Sequence, residues 1–289
     1  MDYSFKGHDL PVSTPRQFQH GRGRLELSFV RGRTSVTRAE AHSPLKWLLP
    51  RRPTPAAWVY ASTFGGGLVA GDRIEMQVAV RAGATAVLGT QSSTKVYRST
   101  SKLACVQILN ATVEDDALLV IAPDPVTCFA GARYEQRQIV RLEAGASLVY
   151  VDWMTSGRRA RGERWAFSQY RNRLDIYIDS DRLLAEALLL DPDDGPLDSP
   201  YRMGQFHCMA MLVMTGPLVV AQVRDLLFRT RAQPISPGSE TVEAASPVGD
   251  AGVLWRIAGR TTEQVGRRLK EELNFLTGTL GESPWARKF

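Results

Sequence analysis

Ile74, Met76, Val78 and Val80 are apolar, and Glu75, Gln77 and Ala79 lie between them. A repeat of two puts the first set on one face of a strand and the second set on the other. This strand follows three consecutive glycines, Gly65, Gly66 and Gly67, and a closing Gly71-Asp72. A glycine cluster that cradles phosphate needs a helix next, with its first amides aimed at the ligand. Gly65, Gly67 and Ala70 fit a loose dinucleotide spacing, but the period of two places a strand where that helix should be. The Gly-Lys-Ser/Thr of a P-loop does not follow Gly71 either. The glycines therefore join strand to strand, where a tight turn or a close backbone approach calls for them.

The same unit is echoed twice. Ala82-Gly83-Ala84, Asp115-Asp116-Ala117 and Ala144-Gly145-Ala146 each follow an alternating segment and lead into a short apolar run. The alternating segments are Ile74–Val80, Leu103–Val113 and Tyr134–Leu142; the runs are Val87-Leu88, Leu118–Ile121 and Leu148–Val151. Strand, tight turn and strand thus recur about every thirty residues, and stacked units of that size bury a common core. The expected fold is mainly β, with layered sheets and a β-helix-like winding of strands, not a doubly wound α/β sheet.

Other segments fit that frame. Leu25, Leu27 and Phe29 alternate with polar residues before Arg31-Gly32-Arg33, which predicts a hairpin toward Val36. Pro44, Pro50, Pro53 and Pro55 predict a long loop carrying Arg51-Arg52, and Trp58–Phe64 a buried strand. Leu174, Ile176 and Ile178 give one more strand before a turn at Asp191–Gly195. About two helices are expected in the C-terminal third. Pro217 opens one, with Val219, Val223, Leu226 and Leu227 on a face. Thr261 and Gln264 form a capping-box pattern for the other, with Val265, Leu269, Leu273 and Leu276 on a stripe. Between them, residues 233–247 read as a flexible surface loop.

Charge divides the chain. Residues 1–60 hold ten Lys/Arg against four Asp/Glu, and the remainder is balanced, so the net +6 belongs to the N-terminal part. Residues 1–20 read as a basic, flexible leader and 21–289 as a single β-rich domain. The leader could meet an acidic partner or nucleic acid, or simply be solvated. No apolar run reaches the roughly 20 residues that span a bilayer, and the N-terminus lacks the order of a secretion signal. The three cysteines, Cys105, Cys128 and Cys208, form no Cys-x-x-Cys. Free thiols in a cytoplasmic chain are the expectation.

Catalytic constellations are scarce. There is no Gly-x-Ser-x-Gly elbow and no His-Glu-x-x-His helix. His207 and Cys208 are adjacent, so on a strand they face opposite sides and do not make a metal pair. Arg158, Arg159, Arg161 and Arg164 cluster between Trp153 and Trp165, with Glu163 among them. Such a cluster serves local ion pairs, a protein partner or single-stranded nucleic acid. On the residues alone, the chain reads as a scaffold or partner-binding protein and not an enzyme. A nucleotide-dependent enzyme using the glycine turn and a nucleic-acid binder stay open as alternatives.

Several blocks together resemble one family. Phe64–Asp72, reading FGGGLVAGD, and Gly89–Ser99, reading GTQSSTKVYRS, come first. Ala122-Pro123-Asp124-Pro125, Tyr134-Glu135-Gln136, Thr155–Arg158, Ala160–Trp165, Tyr170–Leu174 and Leu190-Asp191-Pro192 follow in order. In this the chain resembles the urease accessory proteins UreD, called UreH in some systems. The resemblance implies a mostly β winding of strands and a non-catalytic metallochaperone scaffold. It implies binding to apo-urease and to UreF, which recruits the GTPase UreG, in a dimeric heterocomplex. It also implies transient passage of Ni²⁺ to urease, with no tightly bound cofactor. On that basis Asp72, Glu75, Asp124, Asp152 and Glu163 are candidate groups along a nickel path, with Thr90, Ser92 and Thr94 as further polar lining. Turn caps and buried hydrogen bonds are the alternative role for each. Arg158, Arg161 and Trp165, with the helix from Thr261, are the candidate partner surface.

Overall fold

A computed structural model describes residues 20–231, 236 and 238–286. In chain order the strands begin β1 (His20–Val30), β2 (Arg33–His42), β3 (Leu45–Leu48), β4 (Ala57–Thr63), β5 (Arg73–Val80) and β6 (Thr85–Thr90). Next come β7 (Thr94–Val96), β8 (Cys105–Val113), β9 (Leu118–Ile121), β10 (Val126–Cys128), β11 (Arg133–Leu142) and β12 (Ser147–Thr155). The last are β13 (Gln169–Ile178), β14 (Asp181–Leu190), β15 (Cys208–Thr215), β16 (Thr241–Val248) and β17 (Gly252–Gly259). Three helices accompany them: α1 (Val220–Arg231), α2 (Thr262–Glu272) and α3 (Leu276–Leu280).

The echo in the sequence becomes a stack. β5, β8 and β11 lie parallel in one sheet, with Val78, Ala111 and Val140 in register. Their continuations β6, β9 and β12 lie parallel in the other, with Ala86, Leu119 and Leu148 in register. The turns between them also ladder. Gly83 N–H donates to the Asp115 carbonyl, Leu118 N–H to Ala84 and Ser147 N–H to Ala117. Each turn crosses from one sheet to the other at its own level, so the winding is β-helix-like, as expected. The first sheet runs β14-β13-β11-β8-β5-β1-β2, and the main path of the second runs β16-β17-β15-β12-β9-β6-β4-β3.

The two sheets read differently because they are covered differently. The outer face of the first is wet, and its strands alternate: Arg81 there pairs with Glu26 (2.9 Å) and Glu114 (2.7 Å). The second is buried on both faces, which gives it nearly continuous apolar runs. Leu148 and Tyr150 of β12 face the first sheet, in a core shared with Leu25, Ile74 and Val80. Val149 and Val151 face the other way, onto Val223 of α1 and Val265 and Leu269 of α2.

The capping box of α2 forms as expected: Gln264 N–H donates to Thr261 Oγ1 (3.2 Å) and Thr261 N–H to Gln264 Oε1 (3.0 Å). The Pro217 helix starts as a 3-10 turn, Pro217–Val219, and continues as α1. At the β1–β2 turn both Arg31 and Gly32 have positive φ, the backbone a tight hairpin requires.

Four details differ from expectation. β3 lies inside the proline-rich loop. β14 returns antiparallel on β13 before the turn at Asp191. Leu276 belongs to a separate short helix, α3, because α2 ends at Glu272 with Leu273 as its C-cap. The segment 233–247, read as a flexible loop, is strand from Thr241 onward. It forms β16, an edge strand whose one ladder partner among the described strands is β17, and Pro247 is tolerated there. The leader lies outside the described residues except for His20, which opens β1. Among the described residues no helix is long and apolar enough to cross a membrane.

Candidate functional site

Tyr134 and Gln138 occupy inward positions of β11, and Gln136 stands between them in the same phase. Apolar Val140 and Leu142 continue that face. Gln107 of β8 and Tyr170 and Asn172 of β13 stand beside them in the neighbouring strands. Across the core, β12 presents Tyr150 and then Asp152. The result is a band of polar side chains inside an otherwise apolar sandwich.

These groups bond mainly to one another. The Tyr134 hydroxyl lies 2.8 Å from Gln136 Oε1 and also reaches Gln107, and Gln138 donates to the Tyr150 hydroxyl. Asp152 is the hub. It accepts from Gln136 Nε2 (3.4 Å), the Tyr170 hydroxyl (3.4 Å) and Asn172 Nδ2. It is 7% exposed, and among the described residues no cation pairs with it. Burial pushes its carboxyl up to about 6, against the opposing pull of Gln136, Tyr170, the Trp153 amide and Asn172. Burial and the Asp152 charge drive Tyr134, Tyr150 and Tyr170 well above the ordinary tyrosine range, so all three remain hydroxyl donors. Asn172 Oδ1 is buried and has no hydrogen-bond partner. An orphaned acceptor beside a buried carboxylate costs stability unless something else satisfies it.

Three cavities meet around this band. The central one, about 70 Å³, is lined by Thr90, Thr94, Gln107, Asp124, Gln136 and Asp152, among others. A second, about 90 Å³, shares Thr90, Thr94 and Gln107 with it and reaches Ser92 and Gly66-Gly67 of the glycine turn. A third, about 140 Å³, shares Asp152 and continues past Asn172 and Met211 to Glu186 and Arg256, which pair at 2.7 Å. A surface groove of about 950 Å³ along α2 touches the central cavity at Asp124. The neighbouring Pro123 carbonyl accepts from both Trp153 (2.8 Å) and Trp285 (3.3 Å), which fixes the Asp124 turn against the groove.

The sequence candidates divide accordingly. Thr90, Ser92, Thr94, Asp124 and Asp152 come together on this run of cavities, and Asp124 N–H donates to Thr90 Oγ1 (2.8 Å). Asp72, Glu75 and Glu163 do not join them. Asp72 caps the glycine turn, accepting from Val69 N–H at 2.9 Å. Glu75 points to the wet face of the first sheet and pairs with Arg73 (2.6 Å) and His20 (3.4 Å). Glu163 is taken by Arg158, whose guanidinium lies 3.9 Å above the Phe129 ring. So one expected path residue and one expected partner residue neutralise each other. Trp165 is 4% exposed and donates to the Phe206 carbonyl, which makes it a core anchor and not a contact surface. Arg161 is exposed.

The glycine turn links strand β4 to strand β5, with no helix after it to receive a phosphate. Gly65 and Gly66 have positive φ, and a Cβ at Gly67 would lie 2.7 Å from the Lys95 carbonyl. The amides after them are already used, Leu68 by that carbonyl (2.8 Å) and Val69 by Asp72. Gln107, Gln136, Gln138 and Asn172 are not among the sequence candidates for the path, although Gln136 and Asn172 lie in the family-like blocks. Their signal was a polar residue in the apolar phase of an alternating strand.

Among the described residues no three His, Cys, Asp or Glu side chains gather to hold a metal ion. A cation in the central cavity would meet the carboxylates of Asp124 and Asp152 and otherwise neutral oxygens. Oxygen donors of that kind hold a late divalent metal less firmly than His or Cys sets do.

Comparison with known proteins agrees with the sequence blocks. The family model described as UreD urease accessory protein matches residues 19–288. The chain is 46% identical to the urease accessory protein UreD of Sorangium cellulosum over 269 residues, covering 93% of this chain and 84% of that protein. It is 42% identical to the protein of that name from Anaeromyxobacter sp., over 92% of this chain and 89% of the relative. It is 36% identical to urease accessory protein D of Arabidopsis thaliana, over 91% and 99% of the two chains.

Proposed function

We propose, from the premise that this chain belongs to the UreD family of urease accessory proteins, that it is a non-catalytic scaffold through which nickel reaches apo-urease. The family assignment carries a role in urease maturation. The finer reading adds the partners and the route. The chain binds apo-urease and UreF in the cytoplasm, UreF brings the GTPase UreG, and Ni²⁺ crosses between the two sheets.

One observation supports the route above the rest: the central cavity adjoins the second at Thr90, Thr94 and Gln107 and the third at Asp152, where a buried carboxylate and the unpartnered Asn172 Oδ1 lie together. Conduction needs a site that welcomes an ion yet releases it. The carboxylates of Asp152 and Asp124 supply attraction, and the hydroxyls and amides of Thr90, Thr94, Gln107 and Gln136 supply exchangeable oxygens. GTP hydrolysis is assigned to the partner, since the glycine turn leads into strand β5 and not into a helix whose first amides could face a phosphate.

Deleting the gene and restoring it tests the maturation role. Urease should become inactive and nickel-poor on deletion and recover on restoration. Active, nickel-replete urease in the deletion strain would reject the reading.

A further inference from the structure

Residues 156–165 gather more positive charge than their surroundings neutralise. The segment is rigidly held: Trp165 N–H donates to the Ser156 carbonyl (2.6 Å), and Ser156 N–H to His207 (2.8 Å). Its 3-10 turn, Arg159–Arg161, closes at Gly162 in the left-handed conformation. Glu163, its one acid, is taken by Arg158. Arg159, Arg161 and Arg164 remain, and Arg260 joins them from the end of β17.

The guanidiniums of Arg159, Arg164 and Arg260 are anchored to carbonyls, not to acids. Arg159 Nη1 donates to the Arg260 carbonyl (3.2 Å), Arg164 Nη2 to Gly204, and Arg260 Nη2 to Gly238 (2.8 Å). Among the described residues no carboxylate pairs with any of these four. On the sheet faces, by contrast, Arg73, Arg81, Arg137, Arg173 and Arg256 each sit in an ion pair. Arg159 and Arg164 also lie close enough to His207 to reinforce the effect of burial, which holds the imidazole below its ordinary value. The ring, 3.3 Å from Ser156 Oγ, is therefore uncharged at neutral pH, and the arginines alone carry the charge.

Like charges held close repel one another, and carboxylates from outside would relieve that repulsion. A guanidinium anchored by one N–H keeps others free in a fixed fork suited to carboxylate oxygens. We propose that this arginine loop docks a carboxylate-rich segment of a protein partner. A nucleic acid is the weaker fit. The patch is one loop and not a track along a groove, and its flanking indoles, Trp153 and Trp165, are buried and offer no stacking platform. The inference rests on the scaffold reading only in taking a protein as the partner. The loop shares no residue with the cavities, and its test involves neither urease nor nickel.

Fluorescence anisotropy on the full chain decides it. The probes are a fluorescein-labelled Glu-rich decapeptide, its Gln-for-Glu counterpart and single-stranded DNA of matched charge. The Glu peptide should bind, the Gln peptide should not, and binding should weaken as salt rises. In the triple variant Arg159→Gln/Arg161→Gln/Arg164→Gln affinity should fall by about tenfold, the sum of three exposed ion pairs. Arg31→Gln/Arg33→Gln, at the exposed β1–β2 turn, should bind like the parent. Circular dichroism and the thermal midpoint check folding. If the triple variant misfolds, Arg161→Gln alone should still lose about twofold, since that side chain makes no bond within the described protein. No binding by the parent, equal loss in the two variants, or tighter binding of DNA would overturn the proposal.

Discussion

Replacing Asp152 with Asn should stabilise the fold at neutral pH and weaken the proposed route. The carboxyl titrates near 6 in the folded chain against an ordinary 3.8. A folded value raised above the unfolded one means that ionisation is harder in the fold. The whole cost is present above pH 6, fades as pH falls between the two values, and is gone below 3.8. The shift corresponds to about 3 kcal/mol at pH 7, shrinking to about 1 kcal/mol at pH 4.5. Asn is neutral at both pH values, and Asn172 Oδ1, now without a partner, can turn to accept from the new amide. Urea denaturation of the purified parent and Asp152→Asn at pH 7 and pH 4.5 reads the difference. The variant should be more stable by about 3 kcal/mol at pH 7, with most of that gain absent at pH 4.5. A variant less stable at pH 7, or a gain equal at both pH values, would refute the electrostatic reasoning. A charge kept at this cost is what a residue retained for ligand passage would show.

Three further substitutions test the fold around the route. Glu272, 8% exposed, pairs with Arg229 (2.8 Å) and Arg268 (2.9 Å) and ties α1 to α2. Glu272→Ala should cost about 2 kcal/mol in urea denaturation, less than a fully buried pair because both arginines are partly exposed. Gly67→Ala, whose Cβ would meet the Lys95 carbonyl at 2.7 Å and the Tyr97 ring at 2.6 Å, should cost about 2 kcal/mol and lower the thermal midpoint. Thr261→Ala removes the capping box of α2 and should cost about 1 kcal/mol in the same measurement.

The winding of strands was legible because the alternating segments and their turns repeat in phase. Ile74–Val80 and Tyr134–Leu142 keep one wet face, so burial leaves a period of two. The α2 capping box was legible for a similar reason, since Thr261 and Gln264 act within one turn of chain. The site was less so. Asp72 and Glu163 lie in family-like blocks, yet their partners, the Val69 amide and Arg158, are local, and local bonding consumes them. Trp165 sits among arginines in sequence but turns inward. Gln136, Gln138 and Asn172 acquire meaning only when β11 and β13 face Asp152 on β12, a relation set by two sheets packing and not by neighbours along the chain. β14 and β16 were missed because Asp181–Leu190 and Thr241–Val248 lack a clean alternation, and their pairing with β13 and β17 decides their state.

The most direct test of the nickel route is the nickel content of urease matured with the Asp152→Asn chain, measured beside the parent in complexes that co-purify equally. Nickel per urease active site should fall well below the parental level while assembly is unchanged. Full nickel occupancy with the Asp152→Asn chain would show that the ion does not depend on the carboxylate between the sheets.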